Sequence, residues 1–436
     1  MIERLIDNLS YSLDGMFSYM TPRLWMLGVV LPFFLAMCFT ALVHPLIVKM
    51  AASRNMFDVP DSRKLQSRPV PVMGGMAVFF GIVVGAGATS VFFNSYALFT
   101  CIITLTVMMY VGMVDDLLGL SPTLRLIIEI CLVGFIVYMD KTNINDMHGL
   151  FGIGKLPVYL SLPLCAVSCV GIINSINLID GVDGLSSGIC IFACLCFGIV
   201  FCSSYDGTMA VMASLAAGAL VPFFFHNVFG LKSKMFVGDS GTLMLGMLMS
   251  IFCMRMIDNT SLAAMNHPRL GVVAFSLSVL SVPVFDTLRV MFGRIFRGIS
   301  PFHPDRSHLH HLFIELGFSH IGTSVSVISL NAFNVFCWLL CYLFGGDATE
   351  QFIVVVVVGL LNTIGFYYSV RKMNHQRAPY RALRWLARKS HTEVGRPFMT
   401  RRRLMDSIQL VRDLCAQSLW LLTKWWLMRT LCVKLV

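Results

Sequence analysis

Residues 301–313, PFHPDRSHLHHLF, gather four of the chain's 11 histidines, His303, His308, His310 and His311, beside Asp305 and Arg306. Imidazoles next to a guanidinium suit an anion, above all phosphate oxygens. A metal on His308 and His310 is a second reading, although zinc enzymes with clustered histidines usually add soft or carboxylate ligands at set spacings. Acidic stretches lie elsewhere. VGMVDDLLGLSP (111–122) holds the adjacent carboxylates Asp115 and Asp116. NSINLIDGVDGLSSG (174–188) spaces Asn174, Asn177, Asp180 and Asp183 by three, which puts them on one face if the segment is helical. The spacing and the missing terminal Glu exclude an EF-hand. HNVFGLKSKMFVGDSGTLMLG (226–246) carries Asn227, Phe236 and Asp239, the last between Gly238 and Gly241. Phe236 there could stack a planar base. DVPDSRKLQSRPVPVMGG (58–75) supplies Arg63, Lys64 and Arg68, which could meet phosphates. Asp286 and Arg289, three apart, form a local ion pair.

Each stretch has a plainer reading as a solvated turn, a helix cap or an ordinary cytoplasmic basic loop. Their combination is harder to explain that way. Neighbouring carboxylates need a partner, and hard Mg²⁺ prefers oxygen ligands while keeping its waters. Carboxylates for a divalent cation together with a set of cations suit phosphoryl transfer between a nucleotide and a lipid phosphate. Two anions do not approach without charge to neutralise them.

The elements that position these residues are apolar runs. The chain is 57% hydrophobic and 13% charged, against about 25% charged in soluble domains. Eleven runs read as membrane spans, near 24–48, 74–93, 97–114, 124–139, 156–173, 184–203, 207–226, 241–257, 270–291, 321–344 and 350–370. They lack alternation, and backbone groups in lipid must bond internally, so they are helices. The fold expected is an all-α polytopic bundle. The second and third runs nearly touch and form a tight hairpin, and the fourth is short enough to need tilt. The 14 cysteines include no CxxC pair and read as buried thiols. Residues 1–22 lack a basic leader and cleavage site and read as a surface helix.

Basic residues set the orientation. With the N-terminus outside, 27 Lys and Arg fall inside and 6 outside; without the long tail the split is 12 to 6. The C-terminus is then cytoplasmic. The unusual loops all fall on that face, while the outer connections, including 140–155 and 258–269, look short or featureless. A carrier of an anionic solute, the reading from another class, would place its charges near the midplane.

DDLLGL, NLIDGVDGL, FVGDSGT and HPDRSHLHH, in this order between spans, resemble the polyprenyl-phosphate N-acetylhexosamine-1-phosphate transferases over about residues 24–370. The HxHH form after Asp-Arg is similar to the branch that uses undecaprenyl phosphate and N-acetylglucosamine. The muramyl-pentapeptide branch has a Pro and a three-His run here instead. The resemblance implies transfer of a sugar 1-phosphate from UDP-N-acetylglucosamine to undecaprenyl phosphate, with UMP released and Mg²⁺ (or Mn²⁺) as cofactor. Another UDP-N-acetylhexosamine, the muramyl-pentapeptide substrate included, is the alternative donor.

It implies roles as well. Asp115 and Asp116 would handle the lipid phosphate and, with Asp239, the metal. Asp180 and Asp183 would serve the metal and nucleotide region. Asn227 and Phe236 would contact uridine, Phe236 by stacking on uracil, and Asn177 would bind substrate. Lys64 and Arg68 would meet phosphate. Asp305, Arg306, His308, His310 and His311 would hold the diphosphate and sugar. The setting would be the bacterial cytoplasmic membrane with the site on its inner face, no nucleic acid partner, and a homodimer as a possible assembly. Gln66 stands where the family often has His, so no role is carried over there. Residues 371–436 extend past the family core as a basic amphipathic tail ending in WLLTKWWLMRTLCVKLV. That run reads as an interfacial helix on the anionic inner leaflet, with partner docking as its rival.

Overall fold

The structure is a computed structural model that describes residues 26–54, 56–58, 70–89, 96–230, 233–301, 306–374 and 376–392. Lys64, Arg68, His303 and Asp305, the leading surface helix, the hairpin turn at 90–95 and the tail beyond 392 lie outside the described residues. All eleven apolar runs are helical. A π-turn at Met26–Val30 leads into α1 (Leu31–Ser53), followed by α2 (Gly74–Thr89), α3 (Tyr96–Leu118), α4 (Pro122–Asp140), α5 (Val158–Leu178), α6 (Leu185–Ser203), α7 (Gly207–Phe229) and α8 (Gly238–Ile257). Then come the short α9 (Leu262–Asn266), α10 (Val272–Val279), α11 (Ser281–Ile295), α12 (Leu309–Glu315), α13 (His320–Leu343), α14 (Ala348–Leu360), which continues through a π-turn into α15 (Phe366–Lys372), and α16 (Ala378–Thr392).

This is an all-α polytopic membrane protein. Among the described residues nine helices are long and apolar enough to cross a bilayer, ten if the bent pair α10–α11 is one span. Of the eleven expected spans, the second is described over the 16 residues Gly74–Thr89, and its last residues, 90–93, lie outside the described ones. The ninth run is broken, with α10 and α11 meeting at 76°. A break at membrane depth frees backbone groups that lipid does not satisfy. Asn331 of α13 supplies the substitute. Its carbonyl oxygen accepts from Val282 N at 3.0 Å and the Ser281 hydroxyl at 3.1 Å, and its amide donates to Val279 O at 2.7 Å. The fourth run is longer than expected, with 19 residues from a Ser121 cap that accepts from Leu124 N.

α8 is enclosed along almost its whole length. It packs on α3, α5, α2 and α10, while α1, α2, α6 and α7 form the adjoining layer. At the opposite end from the site, 140–155 is not featureless. Strands β3 (Asp146–Leu150) and β4 (Ile153–Lys155) form an antiparallel hairpin. Asp258 accepts from Asn143 N and the Asn145 amide, both at 3.1 Å, just before that hairpin. On the site side, β1 (Phe57–Asp58) pairs with β2 (Val70–Pro71). The chain leading into α8 then joins them, with Phe236 N donating to Pro71 O at 2.9 Å and Gly74 N to Phe236 O at 2.8 Å.

Gly112 sets how closely α3 approaches α8. A Cβ there would stand 2.3 Å from the Asp239 carbonyl oxygen and 2.5 Å from Ser240 Cα. Overpacking of this kind costs about 1–3 kcal/mol. Gly112→Val should therefore lower the thermal unfolding temperature in detergent. Gly134→Val on α4, where a Cβ meets nothing within 4 Å, should leave it nearly unchanged.

Candidate active site

The last turn of α3 and the first turn of α8 meet through one carboxylate. Asp116 Oδ1 accepts from Asp239 N at 2.9 Å and Oδ2 from Ser240 N at 3.0 Å. A carboxylate on orphan N–H groups at a helix start satisfies them and complements the helix dipole. Gly238 makes the approach possible. Its φ is +70°, and a Cβ would lie 2.7 Å from Asp116 Oδ2. Asp239 is thereby presented beside Asp116, and Asn177 donates to its Oδ1 at 2.6 Å and to the Thr242 hydroxyl oxygen at 2.9 Å.

Asp115 faces elsewhere. Its Oδ2 pairs with Arg125 Nη1 at 3.0 Å and its Oδ1 accepts from Leu120 N at 2.7 Å. Arg125 also reaches Glu129 at 3.8 Å, and Asn174 donates to that buried carboxylate at 2.9 Å. Asp115, Asp116 and Asp239 therefore do not converge as one ligand set. Among the described residues no group of three or more His, Cys, Asp or Glu is placed to hold a metal alone.

Asn174, Asn177, Asp180 and Asp183 do not share a helix face. α5 ends at Leu178 and α6 begins at Leu185, so the two aspartates sit on the turn between. Asp180 accepts from the Ser186 hydroxyl at 2.6 Å. Burial pushes its carboxyl up to about 7 against that bond, and the charges of Asp239 and Asp183 push the same way. Asp183 Oδ2 instead meets Lys234 Nζ at 2.6 Å and His320 Nδ1 at 3.2 Å. Burial raises its carboxyl, but the His320 hydrogen bond and the Lys234 charge outweigh it and hold Asp183 below the usual range.

Asn227 is bonded to the backbone of this turn. Its oxygen accepts from Gly184 N at 2.7 Å and its amide donates to Met235 O at 2.9 Å, in a buried position. It ties the Asp183 turn to the strand carrying Phe236. Phe236 is half-buried, with the Lys234 ammonium 5.7 Å from its ring centre.

The histidine cluster joins the same turn. A Cβ on Gly181 would be 2.6 Å from His310 Nε2, so only a glycine lets the ring so close. His308 and His310 stack at 5.8 Å, and His310 and His311 lie 4.2 Å apart. Asp286 holds His308, accepting from Nδ1 at 3.0 Å, from Leu309 N at 3.1 Å and from Arg289 Nη2 at 2.7 Å. A carboxylate only accepts, so the proton is on Nδ1. Nε2 is left buried and without a partner among the described residues. Arg306 is exposed.

A continuous series of contacts thus links Asp116, Asp239, Asn177, the Asp180–Asp183 turn, His310 and His308. Sequence reasoning missed Lys234 and His320, the partners of Asp183, and the linking role of Arg125. No local motif marks Lys234 or Arg125 among the other basic residues, and nothing in sequence ties His320 to a residue 137 positions earlier.

The sequence is similar to those of known proteins. Residues 98–257 match the family described as Glycosyl transferase family 4. The chain is 26% identical over 350 residues to the probable undecaprenyl-phosphate N-acetylglucosaminyl 1-phosphate transferase of Bacillus subtilis (strain 168), covering 77% of this chain and 94% of that protein. It is 27% identical over 286 residues to the undecaprenyl-phosphate alpha-N-acetylglucosaminyl 1-phosphate transferase of Escherichia coli (strain K12), covering 64% and 75%. The Yersinia pestis protein of the same description is 27% identical over 277 residues, covering 62% and 73%.

Burial, then the His311 and His308 charges, hold His310 well below the ordinary imidazole value. An unfolded His titrates near about 6.5. The neutral ring's contribution to stability is therefore full above that pH and is lost as pH falls toward the folded value. Thermal stability in detergent should drop on acidification below about 6.5, and less so in His310→Gln. Equal slopes for the two proteins would show that another group is responsible.

Proposed function

We propose that this chain transfers N-acetylglucosamine 1-phosphate from UDP-N-acetylglucosamine to undecaprenyl phosphate on the cytoplasmic face of a bacterial inner membrane. The polyprenyl-phosphate sugar-phosphate transferase reading is supported by the relatives and by the order of the motifs. The sugar rests on the relatives' names and on the HxHH form. The orientation rests on the excess of basic residues on the site's side. The observation that carries the reaction is the buried Nε2 of His308, without a partner among the described residues, on a ring held by Asp286 and stacked on His310, which itself lies against the aspartate-bearing turn at Gly181. A buried polar atom of this kind costs about 1–3 kcal/mol unless a ligand meets it; a sugar hydroxyl can donate to it, and a phosphate oxygen can accept from it when the ring carries its second proton.

In this reading a phosphate oxygen of the lipid attacks the phosphorus bearing the sugar. The bond from that phosphorus to the bridging oxygen breaks, and UMP departs with the bridging oxygen. Lys234, beside the half-buried Phe236, would meet the nucleotide end, with uracil stacking on the ring. His308, His310 and Arg306 receive the diphosphate and sugar. Asp180, pushed to about 7 by burial, is the group able to take and return a proton at neutral pH.

Mg²⁺ fits the donor set, since it binds through one or two carboxylates plus substrate phosphates. Asp239 and Asp116 would hold it, and it would neutralise the diphosphate. Direct attack is favoured over a covalent aspartyl intermediate. Each oxygen of Asp115 and Asp116 is already held by a donor, which lowers its nucleophilicity.

The purified protein with undecaprenyl phosphate, Mg²⁺ and UDP-N-acetylglucosamine should release UMP only when all three are present. Asp239→Asn should reduce that turnover at least about hundredfold while keeping the wild-type unfolding temperature. Full turnover in folded Asp239→Asn would sink the metal assignment. Release with a different UDP-N-acetylhexosamine alone would keep the reaction and move the sugar.

A further inference from the structure

α16 has three faces. Tyr380, Leu383, Ala387 and Ser390 turn inward, with Ala387 and Ser390 buried. Arg377, just ahead of the helix, and Arg381, Arg384 and Arg388 are all exposed and recur at helical spacing along one stripe. Trp385, 55% exposed, and Leu386, 48% exposed, occupy the remaining side, and Lys389 lies 4.5 Å from the Trp385 ring centre. No acidic residue occurs in 376–392. The helix starts at Ala378, a few residues after the last candidate span ends at Lys372, so it begins where that span leaves the bilayer. An apolar side with Trp and a cationic stripe are what a helix lying on an anionic lipid surface presents.

Its buried face grips one point. Ser319 caps α13, its hydroxyl accepting from Gly322 N at 3.1 Å. The Ser390 hydroxyl accepts from Ser319 N at 3.0 Å, and Ser390 O accepts from the Ser319 hydroxyl at 3.1 Å. A Cβ on Gly322 would sit 2.5 Å from Ser390 Cβ. His391 adds a bond to Gly317 O at 3.0 Å. The other side of the same helical turn holds the site. His320 meets Asp183 at 3.2 Å, and the Ser324 hydroxyl donates to Asp183 O at 2.8 Å. The first turn of α13 is thus clasped between α16 and the Asp183 turn.

We infer that α16 binds the anionic headgroups of the surrounding bilayer and, through the Ser390–Ser319 clasp, steadies the α13 turn whose His320 positions Asp183. Lipid charge then sets the order of the site. The link to the site's chemistry rests on the transferase reading, but lipid binding and coupling do not. His320 and Ser390 act here as positioning residues.

The test is amide hydrogen exchange on the full chain without substrate, in vesicles of phosphatidylcholine alone or with phosphatidylglycerol added. Anionic lipid should slow exchange in 383–391, 317–324 and 180–184 together, by roughly five- to tenfold. Arg381→Gln, Arg384→Gln and Arg388→Gln combined should abolish the difference in all three segments. Ser390→Leu, which crowds Gly322, should keep the lipid effect in 383–391 and lose it in 180–184. Glycerophosphate added to phosphatidylcholine vesicles should reproduce none of it. Equal exchange in the two vesicles, or the same slowing by glycerophosphate, would overturn lipid binding. An unchanged lipid effect at 180–184 in Ser390→Leu would overturn the coupling. Because no turnover is measured, failure of the transferase reading leaves these outcomes intact.

Discussion

The site depends on one carboxylate meeting one helix start. α8 is the most enclosed helix of the bundle, and its first N–H groups need acceptors where water is scarce. Asp116 supplies both acceptors from α3. The close approach at Gly112 and the positive φ of Gly238 allow this contact. Once it is made, Asp239 has a fixed place next to Asp116, and Asn177 of α5 has a carboxylate to meet. Two acidic side chains are then held side by side, and each raises the other's cost of carrying charge. The interaction that closes the helix end is the one that gathers them.

A second anchor works the same way. Asp286 lies on α11, beyond a break that Asn331 mends. Without the break α11 would continue the line of α10 and carry Asp286 away from the histidine loop. With it, Asp286 collects Arg289, His308 and the Leu309 N–H in one buried cluster. Arg289 also lies 3.8 Å from the Tyr367 ring centre, which fixes the guanidinium on α15. His308 is thus oriented by a carboxylate that is itself fully engaged, so its ring has little freedom to turn away from a ligand.

Much of this was legible in the sequence because it is carried by composition and local pattern. Long unbroken apolar runs gave the helices, and the four polar motifs stood out against them. The Asp286–Arg289 pair is three residues apart and was visible for that reason. What was not legible joins distant positions. Asp115 and Asp116 look equivalent as neighbours, yet one pairs with Arg125 and the other caps α8, and successive residues on a helix point about 100° apart. The even spacing of Asn174, Asn177, Asp180 and Asp183 suggested one face, but the turn after Leu178 sends them to different partners. The mended break at Asn331 spans 49 residues, and no periodicity reports it. The bonds of Asn227 to the backbone of Gly184 and Met235 join positions 43 and 8 residues away, and no local pattern announces them.

The position of the polar groups along their helices separates an enzyme from a carrier. Asp115 and Asp116 end α3, Asn174 and Asn177 end α5, Asn227 ends α7, Asp239 begins α8 and His320 begins α13. A carrier must expose its site to each side in turn, which requires charges near the middle and halves that rock about them. Here the site is assembled from the ends of five helices whose bodies pack through small and apolar side chains. Helix ends gathered at one end of a bundle suit a site that stays in one place, without the rocking halves a carrier needs. Rigid packing below and short polar turns above are what bringing two phosphates together demands, since the reaction gains from charges already in position.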